Sequence, residues 1–261
     1  MEFEKGQLTN SEFLSTGIEK LDNLLEGGIL KGFTTLILGS PGSSIEILSK
    51  QLAVKGNVLY VTTDETEQEV MEAITRFGWT PENIEFTDIA SKYSESVLTR
   101  EKKRVSIYEQ RSKLKLKELI EIGSSGVIPV VKGEEDFLAI FSNKTKTTSS
   151  EKVILNSLDF FLSMYSQEEV IRTLHAAKVA NIERGGVLII IMTKGIHGEV
   201  FERKMEGMAD CVLELNVIQK GSTFERFLAV KKMRNYAKKI GIARYAIDSD
   251  GFVLEMIERI M

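Results

Sequence analysis

Cysteine is almost absent from this chain of 261 residues. The single Cys211 closes no disulfide within the chain and builds no cysteine-rich zinc site, a usage that suits a reducing cytoplasm. Histidine is nearly as scarce: His175 and His197 each stand without a second histidine or cysteine at metal-ligand spacing, so the sequence offers no metal centre. No Ser/His/Asp or Cys/His constellation can be argued from these positions either. Long apolar runs are missing too. The longest aliphatic stretch, Val187 to Met192, falls far short of the ~20 residues of a membrane span, and the charged start Met1-Glu-Phe-Glu-Lys5 lacks the apolar stretch of a secretory signal. These absences argue against export and membrane insertion and lead to the expectation of a cytoplasmic protein.

What is present is ordinary in bulk and uneven in detail. With 43% apolar residues the chain can bury a core as one domain spanning residues 1–261. Its formal net charge of −4 argues against a general nucleic-acid coat. Yet between Arg100 and Lys117 eight basic residues accompany two acidic ones, a local excess of six positive charges in an otherwise acidic chain. Lys102, Lys103, Arg104, Lys113, Lys115 and Lys117 are therefore candidates for contact with nucleic-acid phosphates or an acidic partner, with Tyr108 the one aromatic in that stretch for base stacking. A solvated charged surface accounts for the same residues.

Short aliphatic runs alternate with helix-like stretches, the pattern of an α/β protein with a largely parallel sheet flanked by helices. Buried strands are expected at Phe33–Leu38, Val58–Thr62, Lys152–Asn156 and Val187–Thr193. Crossover helices are expected at Ser15–Leu25, Ile45–Lys55, Glu67–Phe77 and Glu168–Arg184, the last spacing Val170, Ile171, Leu174, Ala177, Val179 and Ile182 along it. From Asp210 onward Val212–Val217, Phe227–Lys231, Ala243–Ile247 and Phe252–Met256 read as an antiparallel meander at the sheet edge. Between about Ile89 and Ser150 the topology stays open. Lys113 to Lys117 alternates as a strand would, Val105, Tyr108, Leu116, Leu119 and Ile120 could share a helix face, and the polar run Ser142 to Ser150 reads as a solvated connection.

The first strand runs into Gly39, Ser40, Pro41, Gly42, Ser43, Ser44, Ile45 and Glu46, followed by a helix. Strand, glycine-rich turn and helix form the setting in which backbone N–H groups cradle phosphates. The working pattern is glycine, four residues, glycine, lysine, then serine or threonine. Here Ser44 holds the second glycine position, Ile45 the lysine position and Glu46 the position of the magnesium-binding hydroxyl. Loss of the lysine and gain of the glutamate remove a positive charge and add a negative one beside a polyphosphate. At about 5 Å and an effective dielectric of about 20, each unit pair is worth roughly 3 kcal/mol. A helix N-terminus offers about 0.3–1 kcal/mol, at best about 2. Magnesium and ATP are therefore not expected as cofactors of the usual kind, and the loop is either a tight turn alone or a weak anion site on the surviving N–H groups.

Several further motifs stand in order around that loop. Thr16-Gly-Ile-Glu-Lys-Leu-Asp22, Leu24-Leu-Glu-Gly-Gly-Ile29 and Lys31-Gly32 precede it; Tyr60-Val-Thr-Thr-Asp-Glu-Thr66 and Lys152-Val-Ile-Leu-Asn-Ser-Leu158 follow; Met208-Ala-Asp210 and Lys232-Met-Arg234 come last. Together they resemble the KaiC/RadA branch of the RecA-like ATPases, over roughly residues 15–88 and 152–255. The resemblance implies a RecA-like P-loop core. It also implies that Asp64 and Glu65 match the water-activating acidic pair, that Asn156 stands where the Walker B strand usually carries aspartate, and that Lys232 and Arg234 match basic residues that reach into a neighbouring subunit's nucleotide site. Asp64 and Glu65 also suit the acidic start of a helix, and Lys232 and Arg234 a strand of surface charges. Thr193-Lys194 lies where such proteins often place a polar sensor, or is a strand-end turn.

Ile45, Glu46 and Asn156 all remove groups that hold metal and phosphate. The expected function is thus an inactivated ATPase homologue serving as a regulatory or binding subunit, in DNA repair or recombination or in signal transduction, with little or no hydrolysis. Such a chain would assemble with itself or with a competent RecA/KaiC-like paralogue, to which Lys232 and Arg234 could act in trans. The alternatives are an active ATPase with an unconventional phosphate loop and Asp64 and Glu65 as its base, and a nucleic-acid-binding accessory protein using residues 100–117.

Overall fold

The chain is described by a computed structural model covering residues 12–99, 135–235 and 241–255. Its first half carries β1 (Phe13–Leu14), α1 (Glu19–Leu24), β2 (Ile29–Leu30), β3 (Thr34–Gly39), α2 (Ile45–Leu52), β4 (Asn57–Thr62), α3 (Glu67–Arg76), β5 (Asn83–Asp88) and α4 (residues 89–99). The second carries α5 (Phe137–Thr147), β6 (Lys152–Leu155), α6 (Asp159–Met164), α7 (Gln167–Arg184), β7 (Val187–Thr193), α8 (Glu199–Met208), β8 (Cys211–Lys220), β9 (Thr223–Met233), β10 (Gly241–Asp248) and β11 (Gly251–Glu255).

The central strands are apolar at almost every position, so both of their faces need cover, and helices connecting parallel strands supply it. One sheet of nine strands results, in the order β11-β10-β9-β8-β3-β7-β6-β4-β5. The six strands from β8 to β5 run parallel, and β9, β10 and β11 extend the edge antiparallel, as the alternation after Asp210 predicts. Successive side chains go to opposite faces. On one, Ile37, Ile154, Ile189 and Leu213 pack with Leu21, Leu48 and Val70 of α1, α2 and α3, together with Leu228, Tyr245 and Phe252 of the meander. On the other, Leu36, Leu38, Val153 and Ile190 pack with Phe141, Phe161, Leu174 and Met205 of α5 to α8.

Local chemistry sets the helix ends. Thr66 with Glu69 and Ser166 with Glu169 form capping boxes at the starts of α3 and α7, and Gly185, left-handed at φ 68°, closes α7. Two expectations need correction. The polar run 142–150 is not a plain connection, because residues up to Thr147 belong to α5, which Asp136 caps through Ala139 N and which buries Phe141 and Thr145. The buried face of α7 is Val170, Leu174, Ala177 and Asn181, whereas Val179 and Ile182 point to solvent. Asn181 takes the inward position because its amide donates to Phe33 O at 3.1 Å and accepts from Arg184 at 2.9 Å. Among the described residues no helix is long and apolar enough to cross a membrane.

Candidate functional site

The chain leaves β3 toward β4 on one side and leaves β7 toward β8 on the other, so the helices after these strands diverge and open a crevice at the carboxyl ends. A cleft of about 320 Å³ lies there. Its walls bring together six residues singled out from sequence, Ile45, Glu46, Asp64, Glu65, Asn156 and Thr193. They come from α2, the β4–α3 turn and the ends of β6 and β7.

The glycine-rich loop makes a tight turn between β3 and α2. Ser44 is left-handed at φ 57°, a conformation that costs a residue with a Cβ roughly 1–2 kcal/mol. The loop is anchored from the meander side: Ser40 Oγ donates to Leu215 O at 3.2 Å, and Tyr245 OH donates to Ser43 O at 2.7 Å. Gly39 has to be glycine, since a Cβ there would lie 2.7 Å from Ser43 Oγ and from Ile45 Cδ1. The isoleucine thus lies back over the start of the loop. Pro41 and Gly42 form its exposed tip, while Ser43 is buried.

Behind the loop, α2 supplies a lysine that motif spacing did not single out. Lys50 is buried, and its Nζ donates to Glu65 Oε1 at 2.8 Å and Oε2 at 2.6 Å. One residue earlier on α2, Ser49 Oγ lies 2.7 Å from Tyr60 OH of β4, and burial pushes the tyrosine well above its ordinary pKa. Glu65 is therefore tied to a cation of its own chain, while Asp64 faces the open cleft. The protein packed around Asp64 raises its pKa above the usual carboxylate range; the Asp159 and Glu65 charges add to the rise, and the nearby Ser157 and Thr63 hydroxyls oppose it.

Asn156 has a structural partner. Its Oδ1 accepts from Thr63 N at 2.9 Å and Thr63 Oγ1 at 3.0 Å, which fixes the turn carrying Asp64 and Glu65. Asp159, three residues further on, accepts from Thr193 N at 3.1 Å and lies 2.7 Å from His197 Nε2, so His197 sits beside the cleft while His175 is exposed on α7. Lys194 turns away: its Nζ donates to Glu214 Oε1 at 2.7 Å. The signals for Lys50 and Asp159 were one lysine on the buried face of α2 and one acid just past a buried strand.

Lys232 and Arg234 lie elsewhere. By register Lys232 pairs with Val212, and Val212 with Leu36, toward the amino-terminal end of the parallel strands and away from the cleft. Lys232 Nζ donates to Glu206 O, Gly207 O and Ala209 O at 2.7–3.1 Å, capping the carboxyl end of α8, and burial lowers its pKa. Arg234 and Lys178 both pair with the buried Asp210, whose carboxylate also accepts from Thr34 N at 3.0 Å. Lys102, Lys103, Arg104, Lys113, Lys115 and Lys117 lie outside the described residues.

A mostly parallel sheet with an antiparallel edge, and a glycine-rich loop between its central strand and the next helix, define a P-loop NTPase core of the RecA type. The family described as "ATPase: KaiC" matches residues 14–259, so the chain belongs to the KaiC family. It is 38% identical over 74 residues to the DNA repair protein RadA of Aquifex aeolicus (strain VF5), a match covering 27% of this chain and 17% of that protein. It is 37% identical over 73 residues to the circadian clock protein KaiC3 of Synechocystis sp. (strain ATCC 27184 / PCC 6803 / Kazusa), covering 26% and 14%. The chain thus spans less than a fifth of the length of these relatives. A crystal structure of a KaiC-like protein from Pyrococcus horikoshii OT3 superimposes with a TM-score of 0.66 at 17% identity, over 94% of this chain and 99% of that one, a likeness of fold.

Proposed function

We propose that this KaiC-family chain does not hydrolyse ATP and acts in the cytoplasm as a binding or regulatory subunit. The observation that carries the reading is the start of α2, where Ile45 folds over Gly39 and Glu46 stands in the first turn at the cleft. Magnesium with a polyphosphate does not fit these residues. The phosphate-side cation is missing, a carboxylate replaces the metal-binding hydroxyl, and Glu65 is bound to Lys50.

Calorimetry with ATP and magnesium tests this. No heat of binding is expected up to millimolar nucleotide, and a micromolar dissociation constant would overturn the reading. The variant carrying Ser44→Gly, Ile45→Lys and Glu46→Thr is expected to gain binding, because the main chain already traces the turn.

The setting follows from the relatives, one named for DNA repair and one for the circadian clock: repair or signal transduction, alongside a second copy or a competent paralogue. Arg234 keeps 47% of its side chain accessible and cannot reach its own cleft, which supports action on a neighbour. Lys232→Ala with Arg234→Ala should lower the ATPase rate of a complex with such a paralogue; an unchanged rate in every such complex sinks this part.

A further inference from the structure

We propose that the cleft takes an organic cation bearing several N–H donors, a guanidinium or polyamine group, in the place where this fold seats a polyphosphate. The inference rests on the reading that magnesium and ATP do not fit. Glu46, Asp64, Glu65 and Asp159 line the cleft, and among the described residues no lysine or arginine lines it. Lys50 satisfies Glu65 from behind, and Asp159 has Thr193 N and His197, which leaves Glu46 and Asp64 open to the cleft without a cation among the described residues. Burial raises the pKa of Asp64, and the Asp159 and Glu65 charges add to the rise.

A second observation comes from a hydroxyl beside the carboxylates. Ser157 lines the same cleft and is 5% exposed, yet its Oγ lies near Asp64 without meeting hydrogen-bond geometry and has no partner among the described residues. A buried hydroxyl without a hydrogen-bond partner among the described residues can accept from a ligand N–H. The arrangement disfavours a compact metal ion, because among the described residues no three His, Cys, Asp or Glu side chains converge as its ligands. Carboxylates spread around a cleft of about 320 Å³ suit a larger cation with donors pointing several ways, and Ile45 and Ile191 offer apolar contact to its methylene stem.

Calorimetry on the full chain at low salt, with spermidine and separately with N-acetyl-arginine amide, tests the proposal. At least one probe should bind with a dissociation constant below about 1 mM and weaken with added salt. Binding should fall at least about tenfold in the variant Glu46→Gln with Asp64→Asn. Both positions are exposed, so the melting temperature of that variant should not fall. Tighter binding of spermidine marks a free polyamine as the ligand, and tighter binding of the arginine derivative marks a partner's side chain. The proposal falls if neither probe binds at about 10 mM, if the double variant binds like the parent, or if magnesium chloride alone binds as tightly. Failure of both probes while ATP and magnesium also fail to bind removes only this inference; micromolar ATP binding removes the reading beneath it.

Discussion

Lys50 and Glu65 differ from the other ion pairs in how deep the cation lies. The Lys50 side chain is 3% exposed and that of Glu65 33%, whereas Lys144 and Glu85 are 40% and 47% exposed. A surface pair of the second kind contributes about 0–1 kcal/mol. Removing one partner of a buried pair leaves a charge in poor solvent and costs about 3–5 kcal/mol, softened here because water reaches part of Glu65. Lys50→Met is therefore expected to destabilise by about 2–4 kcal/mol, and Lys50→Met with Glu65→Gln to recover at least half of that loss. Urea unfolding of the four proteins in a double-mutant cycle measures it; a coupling below about 0.5 kcal/mol would show that the two side chains act separately. Ile45 and Glu46 were legible in the sequence because a fixed spacing assigns a role to each position. Lys50 was not, because its partner lies 15 residues away on another element and no local pattern couples them.

At the scale of elements, what the sequence revealed depended on burial. β3, β6 and β7 are buried on both faces, so continuous apolar runs marked them to within a residue. α8 escaped notice because only Phe201 and Met205, one turn apart, face the core among charged neighbours. The inward Asn181 was invisible for the opposite reason: a polar residue is buried wherever tertiary partners satisfy it, and those partners are fixed by packing. The β10–β11 turn of the meander packs tightly against the body. Gly251 is at φ +102°, and a Cβ there would lie 2.1 Å from the Trp79 ring and 2.9 Å from Gln51 Oε1. Gly251→Ala is expected to cost about 2–4 kcal/mol by overpacking and strained backbone together. It should also change the emission of Trp79, the one tryptophan of the chain, whose Nε1 donates to Asp250 O. Unchanged emission and stability would show that the β10–β11 turn moves aside freely.

For the molecule as a whole, pH reads out the internal charge arrangement. Burial alone would raise the pKa of Glu214, yet hydrogen bonds from Lys194, Lys231 and Asn216 hold it down at about 2. A carboxyl held below its ordinary 4.5 stabilises the fold fully above that value, and the contribution is lost as pH falls toward about 2. Because both lysines are more than a third exposed, the effect is discounted to about 1–2 kcal/mol. Asp64, shifted upward, has the opposite sign: its contribution is present at low pH and is lost as pH rises through its raised value. Glu214→Gln isolates the first effect. Its stability deficit against the parent should be largest near pH 7 and shrink below pH 4; a deficit constant with pH would assign Glu214 a packing role only.

The strand order sets a schedule for synthesis. β3 is the fifth of nine strands, and both of its neighbours come from far along the chain, since Thr34 pairs with Leu188 and Thr35 with Cys211. Ribosomes add about 5–20 residues per second, so roughly 8–30 s pass between the emergence of β3 and that of β7. Throughout that interval the apolar strand that ends up at the centre has two bare edges. The hazard of aggregation for this chain is therefore concentrated on the ribosome, and slowing translation between residues 40 and 187 would lengthen it.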